Sequence, residues 1–123
     1  MSQRVVILGC GSSGGVPRVG GDWGACDPAN PRNRRRRCSI LVERTGDDGE
    51  TTSVLVDASP DLREQLLGTG LTRLDAVLVT HSHADHTHGI DDVRPLVIKM
   101  KRRIDIHGRA DRAGAAGALR LYI

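Results

Sequence analysis

Apolar residues along this chain arrive in short bursts separated by polar, glycine-rich stretches. Val5, Val6, Ile7 and Leu8 form the first burst, bounded by Arg4 and Gly9. Most of these are β-branched, so a strand is predicted over residues 4–8. Residues 9–21 are rich in glycine and serine, and residues 22–37 hold Pro28, Pro31 and five arginines with no apolar period. Both stretches read as loop. Strands are predicted over residues 39–43 and 53–57, and the polar turn Gly46, Asp47, Asp48, Gly49 between them predicts an antiparallel hairpin.

Ser59 reads as an N-cap, Pro60 suits the first helical position, and Asp61 suits the positive helix end. Leu62, Leu66 and Leu67 then fall on one face, with Gly68 and Gly70 as the stop. Residues 75–79 are a further strand, which delivers the chain into a histidine cluster expected to lie in a loop. A short helical turn is predicted over residues 89–93, and a strand is marked by Ile104 and Ile106 before Gly108. In residues 109–123, Ala113, Ala116 and Leu119 would line a helix face, although Gly114 and Gly117 each weaken a helix by roughly 1 kcal/mol. The pattern predicts an α+β fold in a single domain over residues 1–123, without repeats or linkers.

Composition narrows the classes of function. The net charge of +3 and the excess of arginine over lysine favour an anionic partner, since guanidinium groups match phosphate and carboxylate oxygens. Trp23 and Tyr122 are the only aromatic residues, so no stacking platform exists and a dedicated nucleic-acid-binding module is not favoured. No apolar run reaches membrane-spanning length, and the opening residues lack a signal-peptide core. Cys10, Cys26 and Cys38 are an odd count, so reduced thiols and a cytoplasmic location are expected, with no membrane partner.

The chemistry concentrates in residues 80–86, Thr-His-Ser-His-Ala-Asp-His. His81, His83 and His86, with Asp85 beside the last, crowd imidazoles and a carboxylate just past a strand end. Zinc and similar ions take such nitrogen and oxygen donors at about 2.0–2.2 Å, which requires ligands to converge on a small volume. His81 and His83 alternate and would face one ion, while Asp85 and His86 would turn toward a second. The bland alternative is an exposed polar loop that binds metal adventitiously.

The H-x-H-x-D-H spacing of residues 81–86 resembles the signature of the metallo-β-lactamase superfamily. The resemblance implies the N-terminal half of an αββα sandwich, mainly one mixed or antiparallel sheet with flanking helices, in an apparently truncated chain. It implies two divalent metal ions, Zn2+ or Mn2+ with iron as an alternative. His81 and His83 would ligate one ion and Asp85 and His86 the other, with Asp85 also orienting the attacking hydroxide as the catalytic carboxylate. The metals would lower the pKa of a bridging water and stabilise charge at the attacked centre.

Residues 9–17, Gly-Cys-Gly-Ser-Ser-Gly-Gly-Val-Pro, look like the opening loop of a phosphodiesterase branch of that superfamily. That branch includes phosphoribosyl 1,2-cyclic phosphate phosphodiesterases and, more distantly, transfer-RNA 3′-processing ribonucleases. Residues 34–39 look like its segment before the second strand, although the arginines read by themselves as a solvated charge run. Residues 54–60 resemble its Asp-containing strand end, which makes Asp57 a carboxylate that receives the free N–H of a ligating imidazole; the alternative is a plain turn residue. His88 would contact substrate or sit on the loop, and Asp91, Asp92 and Arg94 fit as polar groups around a short helix. Cys26 lacks companion thiols, so no third metal is expected.

The superfamily's further metal-binding His and Asp residues are missing, and His107 comes too early, just after a strand, to replace them. Each ion would then have two ligands, whereas catalytic zinc normally takes three plus water. The second sheet would also be absent, which leaves an apolar face open to dimerisation. Three functions follow as expectations. One is a hydrolase of a small cyclic phosphodiester. The others are a catalytically incomplete metal-binding remnant that needs a partner chain, and a fragment of a transfer-RNA 3′-processing type ribonuclease.

Overall fold

The computed structural model describes residues 1–108. Five strands, β1 (Ser2–Gly9), β2 (Ser39–Thr45), β3 (Thr51–Val56), β4 (Ala76–Val79) and β5 (Asp105–Gly108), form one sheet in sequence order. The first three pair antiparallel, and β4 and β5 add in parallel to β3 and to each other. The fold is therefore α+β with a mixed sheet, as the family resemblance implied. Helix α1 (Leu62–Leu67) carries the chain from β3 to β4; α2 (Ala84–Thr87), a 3-10 turn (Ile90–Val93) and α3 (Arg94–Met100) carry it from β4 to β5.

Alternation along the strands separates two faces. The register aligns Val6, Leu41, Leu55, Val77 and Ile106 across the sheet. Leu41, Leu55 and Val77 are fully buried, and Leu62, Leu66, Val93 and Val97 cover them from the helices. Burying each such leucine is worth about 1.5–3 kcal/mol, so this row holds the helices on the sheet. The opposite face aligns Val5, Val42, Val54 and Ala76, and beside them Ile7, Ile40, Val56 and Leu78. It stays open, with Val5 61%, Ile7 69% and Leu78 41% exposed.

Several local expectations need correction. Helix α1 starts at Leu62, with Asp61 at the cap position, not at Pro60. Ser59 is instead fully buried: its hydroxyl accepts from the Asp61 N–H (3.1 Å) and donates to Gln65 Oε1 (2.8 Å). Leu67 is exposed, and Gln65 takes the third inward position because its amide clamps Ser59 and the Arg37 carbonyl (2.8 Å). Gly68 keeps right-handed helical angles, so the left-handed residue that the stop needs is Gly70, at φ 69°. Helix α3 follows the predicted turn directly, because Pro95 fits its first turn, and His107 lies within β5, not beyond it. Asp91 and Arg94 pair on the surface at 2.9 Å.

Residues 22–37 are also more ordered than a charge run. Val16 and Arg35 exchange backbone hydrogen bonds at 2.9 Å, and Gly11 N–H donates to the Arg36 carbonyl at 2.7 Å. Arg37 is partly buried, its guanidinium 2.9 Å from Asp61 and its N–H 2.8 Å from the same carboxylate. The candidate helix with Ala113, Ala116 and Leu119 lies outside the described residues. Among the described residues, no helix is long and apolar enough to cross a membrane.

Asp75 locks the start of β4. It accepts from the Ser53 N–H (2.8 Å) and from Arg102 Nη2 (2.6 Å), joining β3 to the segment after α3. Partial burial pushes its carboxyl up, but these two hydrogen bonds and the charges of Arg102 and Arg73 outweigh that and hold it below its ordinary value. A lowered native pKa means stability that is present above the unfolded-state value and lost as pH falls through the native one. Asp75→Asn is therefore expected to be less stable than wild type at pH 7. In urea unfolding followed by circular dichroism, the gap should close as pH drops below about 4.

Candidate metal centre

Parallel pairing of β3 with β4 sets Val56 beside Leu78, and the Asp57 N–H donates to the Leu78 carbonyl at 2.8 Å. The two strand ends therefore stop together. Asp57 turns there with φ 64°, a left-handed conformation that aspartate tolerates better than most residues, and its side chain is buried. A buried carboxylate needs hydrogen bonds, and Asp57 has them. Its Oδ1 accepts from the Thr80 N–H (2.8 Å), and its Oδ2 accepts from the Thr80 hydroxyl (2.8 Å) and from His86 Nδ1 (2.6 Å).

The network assigns tautomers. Thr80 has one hydroxyl hydrogen and gives it to Asp57, an acceptor only, so toward His81 Nδ1 (2.9 Å) Thr80 Oγ1 must accept. His81 and His86 thus both carry hydrogen on Nδ1 and present Nε2 outward. The rings are close: centroids are 4.6 Å apart for His81 and His83, and 4.1 Å for His81 and His86. His86 Nε2 stands 3.1 Å from Asp85 Oδ2. With Nδ1 committed to Asp57, the Nε2 atom faces the Asp85 carboxylate.

The cluster is only half in a loop. His83 caps α2, while Asp85 and His86 are helical, so the carboxylate and third imidazole are held by backbone as well as by Asp57. The Ala58 N–H donates to the His86 carbonyl, and the Gly89 N–H to the Ala58 carbonyl, both at 2.9 Å. His81 and His83 are exposed and Asp85 is half-buried. His88 ends α2 and is exposed. Cys10, Cys26 and Cys38 are all unpaired.

Donor chemistry fits divalent metal, but the set is short. Among the described residues, no group of three or more His, Cys, Asp or Glu side chains is arranged to hold an ion. Among the described residues, the structure brings His81 beside both His83 and His86, and His86 beside Asp85. Sequence reasoning missed Thr80, whose hydroxyl links Asp57 to His81; the signal was a hydroxyl residue between the strand end and the first histidine. It also missed Gly89, where a Cβ would lie 1.7 Å from the Ser59 carbonyl oxygen.

Comparison with known proteins assigns the family. The β-lactamase superfamily domain matches residues 52–117, and the chain belongs to the metallo-β-lactamase superfamily. Among solved structures it is similar to a diphosphatase from the PhnP family, with 41% identity and a TM-score of 0.73 over 86% of this chain and 41% of that one. It is also similar to Zn2+-bound PqqB from Methylobacterium extorquens, with 25% identity and a TM-score of 0.53 over 89% of this chain and 46% of that one. Coenzyme PQQ synthesis protein B of Xanthomonas oryzae pv. oryzae is 34% identical over 122 residues, covering 83% of this chain and 38% of that protein. An octanoyltransferase of Porphyromonas gingivalis is 43% identical over 94 residues, covering 76% of this chain but 18% of that protein. The chain thus spans less than half the length of each of these relatives.

Gly89→Ala and Gly68→Ala should differ sharply. The former forces backbone apart beside His86 and is expected to lose about 1–3 kcal/mol or more. Gly68 is right-handed with no neighbour closer than 3.5 Å, so alanine there should be neutral or add about 0.4–1 kcal/mol. Thermal unfolding of the two variants beside wild type checks the contrast.

Proposed function

We propose that this chain carries a two-metal hydrolase centre that cleaves phosphodiesters, with a small cyclic phosphodiester as the substrate class. The observation that carries the reading is the Asp57 network, which holds His86 Nδ1 at 2.6 Å and leaves Nε2 facing Asp85. A carboxylate behind an imidazole is the usual device for orienting a metal-binding histidine. Likeness to a diphosphatase and to a zinc-bound protein supports both the reaction class and the ions.

His81 and His83 would hold one divalent ion, and Asp85 and His86 the other, with Zn2+ or Mn2+ the best matches and iron an alternative. Bound cations supply Lewis acidity and activate water. Thr80 and Asp57 keep the imidazole tautomers that free Nε2, Asp85 orients the nucleophile, and exposed His88 is placed to meet substrate. Unpaired cysteines suit a reducing compartment, and the cytoplasm remains the proposed setting.

A second reading has its own observation. Because no three-ligand group forms among the described residues, the chain would bind metal yet need further residues or a partner chain to turn over.

Hydrolysis of bis(p-nitrophenyl) phosphate with added Zn2+ or Mn2+ tests the first reading. Turnover is expected, and either chelation or His83→Ala should abolish it; stoichiometric metal uptake without turnover would support the second. Asp57→Asn, which keeps the left-handed turn, is expected to weaken metal affinity about 10–100-fold in calorimetric titration.

A further inference from the structure

Residues 14–17 and 34–37, together with Asp61, line a cleft of about 390 Å³ that contains none of the histidines. Its walls are tied by backbone. Val16 and Arg35 bond reciprocally at 2.9 Å, and Arg37 N–H is held by Asp61 at 2.8 Å. Gly15, at φ 70°, lets the loop come close: a Cβ there would meet the Arg35 carbonyl oxygen at 3.1 Å.

Four consecutive arginines share this lining with a single carboxylate. Arg37 is committed to Asp61 (2.9 Å) and to the Ser13 carbonyl (3.2 Å), and Arg34 lies 5.9 Å from the Trp23 ring centroid. Among the described residues, the Arg35 side chain reaches only Cys10 Sγ, a weak acceptor, at 3.3 Å. Arg36 is exposed, and its side chain makes no hydrogen bond among the described residues. So much like charge on a fixed concave wall is unfavourable until an anion enters. Guanidinium forks match phosphate oxygens, and the volume lies within the range of small-molecule sites.

We propose that this cleft binds the phosphate group of a small phosphorylated molecule. A polynucleotide is the poorer occupant, because Trp23 is the one aromatic residue among those described and it is covered by Arg34. The site needs no metal, so it stands or falls apart from the hydrolase reading.

The test is titration of metal-free protein with inorganic phosphate at constant ionic strength, followed by amide NMR shifts. Shifts confined to residues 14–17 and 34–37 are expected. Arg36→Gln should weaken binding about fivefold to tenfold, and Asp61→Asn, which removes the competing carboxylate, should strengthen it by a similar factor. Lys99→Gln, an equal charge loss on the exposed face of α3, should leave affinity unchanged. Equal weakening by Lys99→Gln, shifts centred on the histidines, or tighter binding of single-stranded RNA with affinity rising with length would each overturn the proposal. The two cleft variants move affinity in opposite directions, so a folding defect in one cannot imitate the result.

Discussion

The buried carboxylate of Asp57 couples the scaffold to the chemistry. Removed from water, it needs hydrogen-bond donors on both oxygens, and it finds them in Thr80 and His86. Those residues come within reach because β4 pairs parallel to β3, so that both strands end at one level. The hydrogen bonds that make burial of Asp57 tolerable are the same ones that orient His81 and His86. A slip of one residue between β3 and β4 would therefore strand a charge in the interior and misdirect two imidazoles together.

Much of this was legible in advance. Bursts of β-branched residues marked all five strands, and H-x-H-x-D-H at a strand end marked the cluster, because metal chemistry constrains both residue type and spacing. Long-range partners were harder to read. Ser59 looked like a cap, yet its hydroxyl is recruited by Gln65, a residue that no apolar periodicity flags. Arg37 looked solvated because nothing local reveals Asp61, which is 24 positions away. Thr80 offered a hydroxyl beside the first histidine, but its partner Asp57 is 23 positions away.

The superfamily assignment sets the scale of what this chain holds. It aligns to 41% of the diphosphatase and 46% of the zinc-bound neighbour. Among the described residues, His81, His83, Asp85 and His86 lie in one cluster, and one face of the sheet is packed by helices. Val5, Ile7 and Leu78 lie open where the other face is sealed by α1 and α3.

Strand direction has a last consequence. Thr45 and Thr51 close the β2–β3 hairpin at one end of the sheet, beside Ser2 and at the same end as the strand starts Ala76 and Asp105. Gly9, Ser39, Asp57 and Thr80 gather at the other. The molecule therefore has a reactive pole and a quiet one. Changes in the length or sequence of the 46–49 turn fall at the quiet pole, where drift can accumulate without disturbing the histidines.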